Sequence, residues 1–212
     1  MSWESKHTVI KGEEGEKFIS NYFKMAGYIP YKPINDIAHP FDRIIASADK
    51  KEIFIAEVKT KSRRNFYPDT GIDFRHFEEY NFIRNKYNIS LFLFFVDEYL
   101  EKYYGNFLNE LIIKKQIIYN YKRTKDCSWK EKRLYYPRTE RDMIYFFIGD
   151  MIVLGDIPKE IVDNLRKNST RNYEYSLPYT EKITINGKPI DHSLLISETK
   201  EGRSRCSTTK WY

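Results

Sequence analysis

Six residues in a row, Leu91-Phe92-Leu93-Phe94-Phe95-Val96, are apolar. A strand that is hydrophobic on both sides of its pleat must be covered on both faces, which calls for a sheet with further layers above and below. The flanking patterns indicate those layers. Phe18, Ile19, Tyr22, Phe23 and Ala26 recur at helical spacing, so 12–27 reads as an amphipathic helix stopped by Gly27. Its acids Glu13, Glu14 and Glu16 are expected in the first turn, where the helix dipole favours them. Tyr28-Ile29-Pro30-Tyr31 is a short extended piece ended by Pro33. Residues 42–46 and 53–59 read as strands joined by the polar turn Ser47-Ala48-Asp49-Lys50-Lys51, and should pair as a hairpin. A helix over 74–86, with Phe77, Tyr80, Phe82 and Ile83, leads into the apolar strand. The expected order is helix-strand-strand-strand-helix-strand, an α/β (α+β) chain with a central mixed sheet flanked by helices.

Further on, 105–121 reads as a short helix followed by a strand or helix turn. Residues 143–148 and 151–154 read as strands around Gly149-Asp150, and Pro158 sits in the first turn of a helix carrying Ile161, Val162 and Leu165. The pattern weakens beyond Arg171, although Asn186-Gly187 is a good hairpin turn, and the stretch from Thr199 is polar, basic and expected to be mobile. At 212 residues the chain suits one domain over 1–170 with a C-terminal elaboration, and a basic extension over 171–212.

Composition narrows the partners. With 41% hydrophobic and 31% charged residues the profile is globular, and no run of about twenty apolar residues is present to cross a membrane. The start, Met1-Ser2-Trp3-Glu4, lacks the basic and apolar regions of a signal peptide. Cys127 and Cys206 are too few for a zinc site and fit a reducing compartment, so a cytoplasmic location is expected. A net charge of +6 favours polyanions. Much of it lies over 114–141, where Lys114, Lys115, Lys122, Arg123, Lys125, Lys130, Lys132, Arg133, Arg138 and Arg141 face only Asp126, Glu131 and Glu140. A solvated surface and a phosphate-tracking face account for this stretch about equally.

The chemistry concentrates in Pro40-Phe41-Asp42, followed after fourteen residues by Glu57-Val58-Lys59. On a strand Glu57 and Lys59 project to one face, and Ala56 and Val58 to the other. Charges at those positions of an apolar strand are costly unless they have work to do. The hairpin brings Asp42 near Glu57, and two neighbouring carboxylates repel unless a cation lies between them. Hard oxygen ligands with room for water suit Mg²⁺ or Mn²⁺. A lone Glu-x-Lys is common and usually marks a solvated edge; its weight here comes from the combination with Asp42, the hairpin and the acidic helix upstream.

This pattern resembles the PD-(D/E)xK nuclease superfamily, which includes restriction endonucleases and archaeal Holliday-junction resolvases. Pro40-Phe41-Asp42 stands for the Pro-Asp piece with Phe inserted, and Glu57-Val58-Lys59 matches the (D/E)xK piece. The resemblance covers roughly the first hundred residues and implies a restriction-endonuclease-like core. It implies that Asp42, Glu57 and the Val58 carbonyl bind Mg²⁺, with Mn²⁺ as a substitute, and that Lys59 acts near the attacking water. It also implies a further acid on the first helix, Glu16 or else Glu13, in reach of a second ion or of a water on the first. After the strand, Lys61, Arg63 and Arg64, with Arg75 and Tyr80 on the next helix, are candidates to contact nucleic acid; for Tyr80 a place in the core or behind the site is the stronger reading, and His76 is a weak candidate base. The implied activity is hydrolysis of phosphodiester bonds in DNA by a resolvase-like endonuclease. The alternatives are a sequence-specific restriction endonuclease, or a non-catalytic nucleic-acid-binding protein that uses the basic stretch 114–141. The extension after Val96 exceeds a minimal resolvase and leaves room for a recognition surface or a homodimer interface.

Overall fold

The computed structural model describes residues 6–33, 40–49, 51–64, 67–123, 128–169, 180–185 and 188–189. The chain runs through helix α1 (His7–Met25), strands β1 (Tyr28–Tyr31), β2 (Arg43–Ser47), β3 (Ile53–Lys59) and β4 (Asp69–Asp73), helix α2 (Phe74–Tyr87) and strand β5 (Ser90–Asp97). There follow β6 (Lys102–Phe107), the single-turn helix α3 (Leu108–Leu111), β7 (Lys115–Arg123), β8 (Ser128–Tyr136), β9 (Arg138–Glu140), β10 (Met143–Phe147), β11 (Ile152–Asp156), helix α4 (Lys159–Lys167), β12 (Thr180–Ile185) and β13 (Lys188–Pro189).

The apolar strand β5 lies inside a six-stranded sheet of order β1-β2-β3-β5-β6-β11. Every neighbouring pair is antiparallel except β3 and β5, which are parallel because the chain crosses over through β4 and α2. Alternation along β5 divides the core. Leu91, Leu93 and Phe95 pack with Tyr80 of α2, Leu108 and Leu111 of α3, and Ile144 and Phe146 of β10. Phe92, Phe94 and Val96 pack with Ile19 and Phe23 of α1 and with Val162 and Leu165 of α4. The fold is thus mixed α+β, a central mixed sheet with α1 and α4 on one face. On the other lie α2, α3 and a three-stranded sheet of order β4-β10-β9. The expected element order holds, with β4 added between β3 and α2.

Several expectations need correction. Helix α1 starts at His7, about one and a half turns early, and its first turn holds no acid. Glu13, Glu14 and Glu16 therefore sit well inside the helix, and the dipole at its start does not account for them. Its end is as expected, with Gly27 at a left-handed φ of 81° and its N–H on the Lys24 carbonyl. The strands around Gly149-Asp150 exist but do not pair with each other. β10 joins β4 and β9, while β11 joins β6 in the central sheet.

A third sheet, β13-β12-β7-β8, holds most of the basic stretch. Lys125, Asp126 and Cys127 lie outside the described residues, as does Cys206. Among the described cations there, Lys115 pairs with Asp150 at 2.8 Å and Arg138 with Glu140 at 2.8 Å, so part of the charge is answered internally. Most of 171–212 is likewise outside the described residues. Within it β12 pairs with β7 and with β13, while the expected turn at Asn186-Gly187 is itself not described. Among the described residues no helix is long and apolar enough to cross a membrane.

Close approach of α1 to the end of β3 depends on Gly15, where an added Cβ would lie 1.9 Å from Thr60 Oγ1. At Gly12, in the same helix, nothing lies within 4 Å of such an atom. Gly15→Ala should cost about 1–3 kcal/mol by overpacking, whereas Gly12→Ala should gain about 0.5–1 kcal/mol by helix propensity. Equilibrium urea unfolding of the two variants checks the opposite signs.

Candidate active site

The β2–β3 ladder ends with Arg43 opposite Ala56. One step further, side chains take over from the backbone. The Asp42 main-chain N–H donates to Glu57 Oε2 at 3.1 Å, and the Val58 N–H donates to Asp42 Oδ2 at 2.7 Å. The two acids are thereby locked together where the strands part. Because a strand residue turns its N–H and C=O to the same edge, the Val58 carbonyl also faces the Asp42 side.

Glu57 is 3% exposed, and both its oxygens are served. Oε1 receives the Tyr80 hydroxyl at 2.5 Å and the Lys59 ammonium at 2.6 Å, while Oε2 receives the Asp42 N–H. Tyr80 arrives from α2, where it is buried against the central sheet, and burial together with the Glu57 charge pushes its hydroxyl pKa strongly up. It therefore stays a donor at any ordinary pH. Lys59 shares the face of Glu57, with its ammonium 5.8 Å from the Tyr80 ring centre, and keeps about a quarter of its side chain exposed.

Burial, and then the charge of Glu57, push the Asp42 carboxyl up to about 6. Glu16 lies on α1 beside them and is also raised, by burial first and by Asp42 second. Its carboxylate meets Arg43 at 3.2 Å. Among the described residues, no three His, Cys, Asp or Glu side chains close on one point. What the hairpin offers is two carboxylates, Asp42 and Glu57, and the Val58 carbonyl. That all-oxygen set fits Mg²⁺, which keeps several waters and uses one or two protein carboxylates.

No protein-family model matches the sequence, and no curated protein matches it. A solved structure is similar. It is a Holliday junction resolvase from Archaeoglobus fulgidus, an archaeal hyperthermophile, 12% identical, with 45% of this chain and 75% of that one covered at a TM-score of 0.37. At that level of similarity, what the site does rests on its own residues.

The residues expected to hold nucleic acid divide sharply. Arg75 is exposed at the start of α2. Lys61 is exposed as a whole, but its ammonium reaches the Gly71 carbonyl at 3.2 Å, and the local loss of hydration there lowers its pKa. Arg63 is 5% exposed, and its N–H donates to Asp97 at 3.0 Å. Arg64 grips Asp69 with two donors and Glu140 with a third, and its guanidinium lies against the rings of Tyr145 and Tyr67. The polar atoms of Arg64 and Tyr80 are thus engaged inside the protein, and Arg63 is buried. His76 is 3.7 Å from Asp73 and 6.1 Å, ring to ring, from Tyr80. Glu13 is exposed. Sequence reasoning missed Arg43, which binds both Glu16 and the Asp42 carbonyl; a cation beside the first acid of the motif was the available signal.

A raised carboxyl pKa means that the charged form is disfavoured by folding. Above pH 6 Asp42 costs stability in the metal-free protein, and the cost fades as pH falls towards 4, where the folded group is protonated. Asp42→Asn should thus stabilise the metal-free protein at pH 7 by on the order of 2 kcal/mol, and by much less at pH 4. Thermal melts in chelator at the two pH values check this.

Proposed function

We propose that this protein is a magnesium-dependent nuclease of the resolvase-like type, hydrolysing phosphodiester bonds of DNA at a site made by Asp42, Glu57, Val58 and Lys59. The observation that carries the reading is the mutual lock of Asp42 and Glu57 at the parting of β2 and β3, with Lys59 on the same carboxylate. Two acids packed side by side, one of them raised by burial and then by the other, are a poor way to stabilise a fold and a good way to hold a dication.

Bound Mg²⁺ would supply neutralisation of phosphoryl charge and a more acidic water. The chain's own residues do the rest. Tyr80 and the Asp42 N–H hold the Glu57 carboxylate in one orientation, so that it needs no reordering when substrate arrives. The Val58 N–H does the same for Asp42. Lys59, part-exposed at the mouth, directs its ammonium to the attacking water or the phosphate oxygens, where positive charge counts most in the transition state. Lys61 and Arg75, both exposed, remain among the cations expected to meet the DNA backbone, a contact that positions the strand without reading its sequence.

The test is cleavage of linear, circular, single-stranded and branched DNA, and of RNA, with Mg²⁺ or Mn²⁺. Asp42→Ala and Glu57→Ala should abolish cutting. Lys59→Ala should lose about a hundredfold or more in turnover while still binding DNA, and Lys59→Arg should restore little, because a broad fork does not replace a compact ammonium. DNA binding without cutting under every condition would favour the non-catalytic reading, and cutting by Asp42→Ala at the wild-type rate would refute the site.

A further inference from the structure

We infer that Arg43 occupies the place a second divalent cation would need, so that the site takes one ion and Glu16 stays outside its coordination. The inference rests on the nuclease reading above and concerns how many ions that site accepts.

Arg43 is the first residue of β2, and strand alternation turns it away from Ile44 and towards α1, the side on which Ile45 joins the core with Ile19 and Phe23. It is 8% exposed. Its Nη1 donates to the Asp42 carbonyl at 2.6 Å and lies 3.2 Å from Glu16 Oε2, and its Nε donates to Ser20 Oγ at 3.2 Å. Ser20 Oγ in turn donates to the Glu16 carbonyl at 2.8 Å. The guanidinium is thus wedged between the Glu16 carboxylate and the backbone of Asp42, with a separate anchor on α1.

A dication bridging Glu16 and Asp42 would need a Glu16 oxygen at about 2.1 Å. It would then sit beside a guanidinium that cannot lose its proton. Moving that group aside would mean breaking its bonds to Ser20 and to the Asp42 carbonyl at a buried position. No such obstacle stands between Asp42 and Glu57, where the neighbouring cation, Lys59, is on a flexible, part-exposed stem. Glu16 is a positioning residue in this account: it holds Arg43, and Arg43 holds the main chain of Asp42.

The experiment counts Mn²⁺ bound to the full-length protein without substrate, by electron paramagnetic resonance of the free ion in a titration. Wild type should bind one ion. Glu16→Gln should also bind one, with affinity lowered less than about tenfold, the range of a residue outside the coordination sphere. Arg43→Ala, which frees Glu16, should bind two. A wild-type count of two that falls to one in Glu16→Gln would overturn the inference and leave the nuclease reading standing, as would a count of one in folded Arg43→Ala. A wild-type count of zero would overturn both.

Discussion

The Glu57 carboxylate is the point on which the arrangement turns. It sits on the inner face of the central sheet, nearly closed to water, among Leu93, Tyr80 and the other side chains of that layer. An ion so placed costs several kcal/mol in lost hydration unless donors replace the water. Three do so, and each comes from a different part of the fold. Tyr80 needs α2 packed across the sheet, the Asp42 N–H needs the β2–β3 register, and Lys59 needs the two-residue repeat of β3 itself. Breaking any of these layers would leave a buried charge partly unanswered, a defect of about 3–5 kcal/mol where a partner is removed outright. The sheet, the hairpin and the crossover helix are therefore coupled through one side chain.

A second set of buried acids fastens the segment after β3 to the rest of the fold. Asp97, at the end of β5, accepts the N–H groups of Tyr99 and Leu100 through one oxygen, and the Arg63 N–H and the Tyr104 hydroxyl through the other. It ties the turn after β5, strand β6 and the chain leaving β3 into one knot. Asp69 is likewise wholly buried and takes Arg64 and the Tyr136 hydroxyl, which links β4 to the end of β8. The Lys61 N–H is held by the Val96 carbonyl as well. Of the cations after Glu57-Val58-Lys59, Lys61 and Arg64 thus reach β4 with their side chains and fasten the second sheet to the first. Lys59 is the basic side chain on the Glu57 carboxylate, and Arg43 holds the Asp42 carbonyl.

The parts of the fold legible in the sequence were those governed by a local repeat. The period of two over β3 and the unbroken apolar run of β5 gave their positions within a residue, and the helical repeat placed α2 and the end of α1. β4 was not legible, because Asp69-Thr70-Gly71-Ile72-Asp73 has no apolar alternation. Its burial comes from the Arg64 ion pair and from pairing with β10, partners distant in sequence. The same limit governed the site. Asp42, Glu57 and Lys59 follow from strand geometry alone, and the structure brings them together. Arg63 and Arg64 read as surface residues by type, and only tertiary contacts bury Arg63 and tie Arg64 to Asp69 and Glu140, whereas a core place for Tyr80 was already legible in the sequence. The pairing of β7 with β8 was likewise hidden, since their run of basic and aromatic residues has no simple period.

We propose that Asp42 and Glu57 are brought together to hold a metal ion rather than to hold the fold. Anomalous diffraction from crystals soaked in Mn²⁺ tests it most directly. A peak is expected in the gap between the two carboxylates and the Val58 carbonyl, at about 2.0–2.4 Å from its oxygen ligands. A map with no peak in that gap, with Asp42 and Glu57 still hydrogen-bonded as they are here, would contradict it.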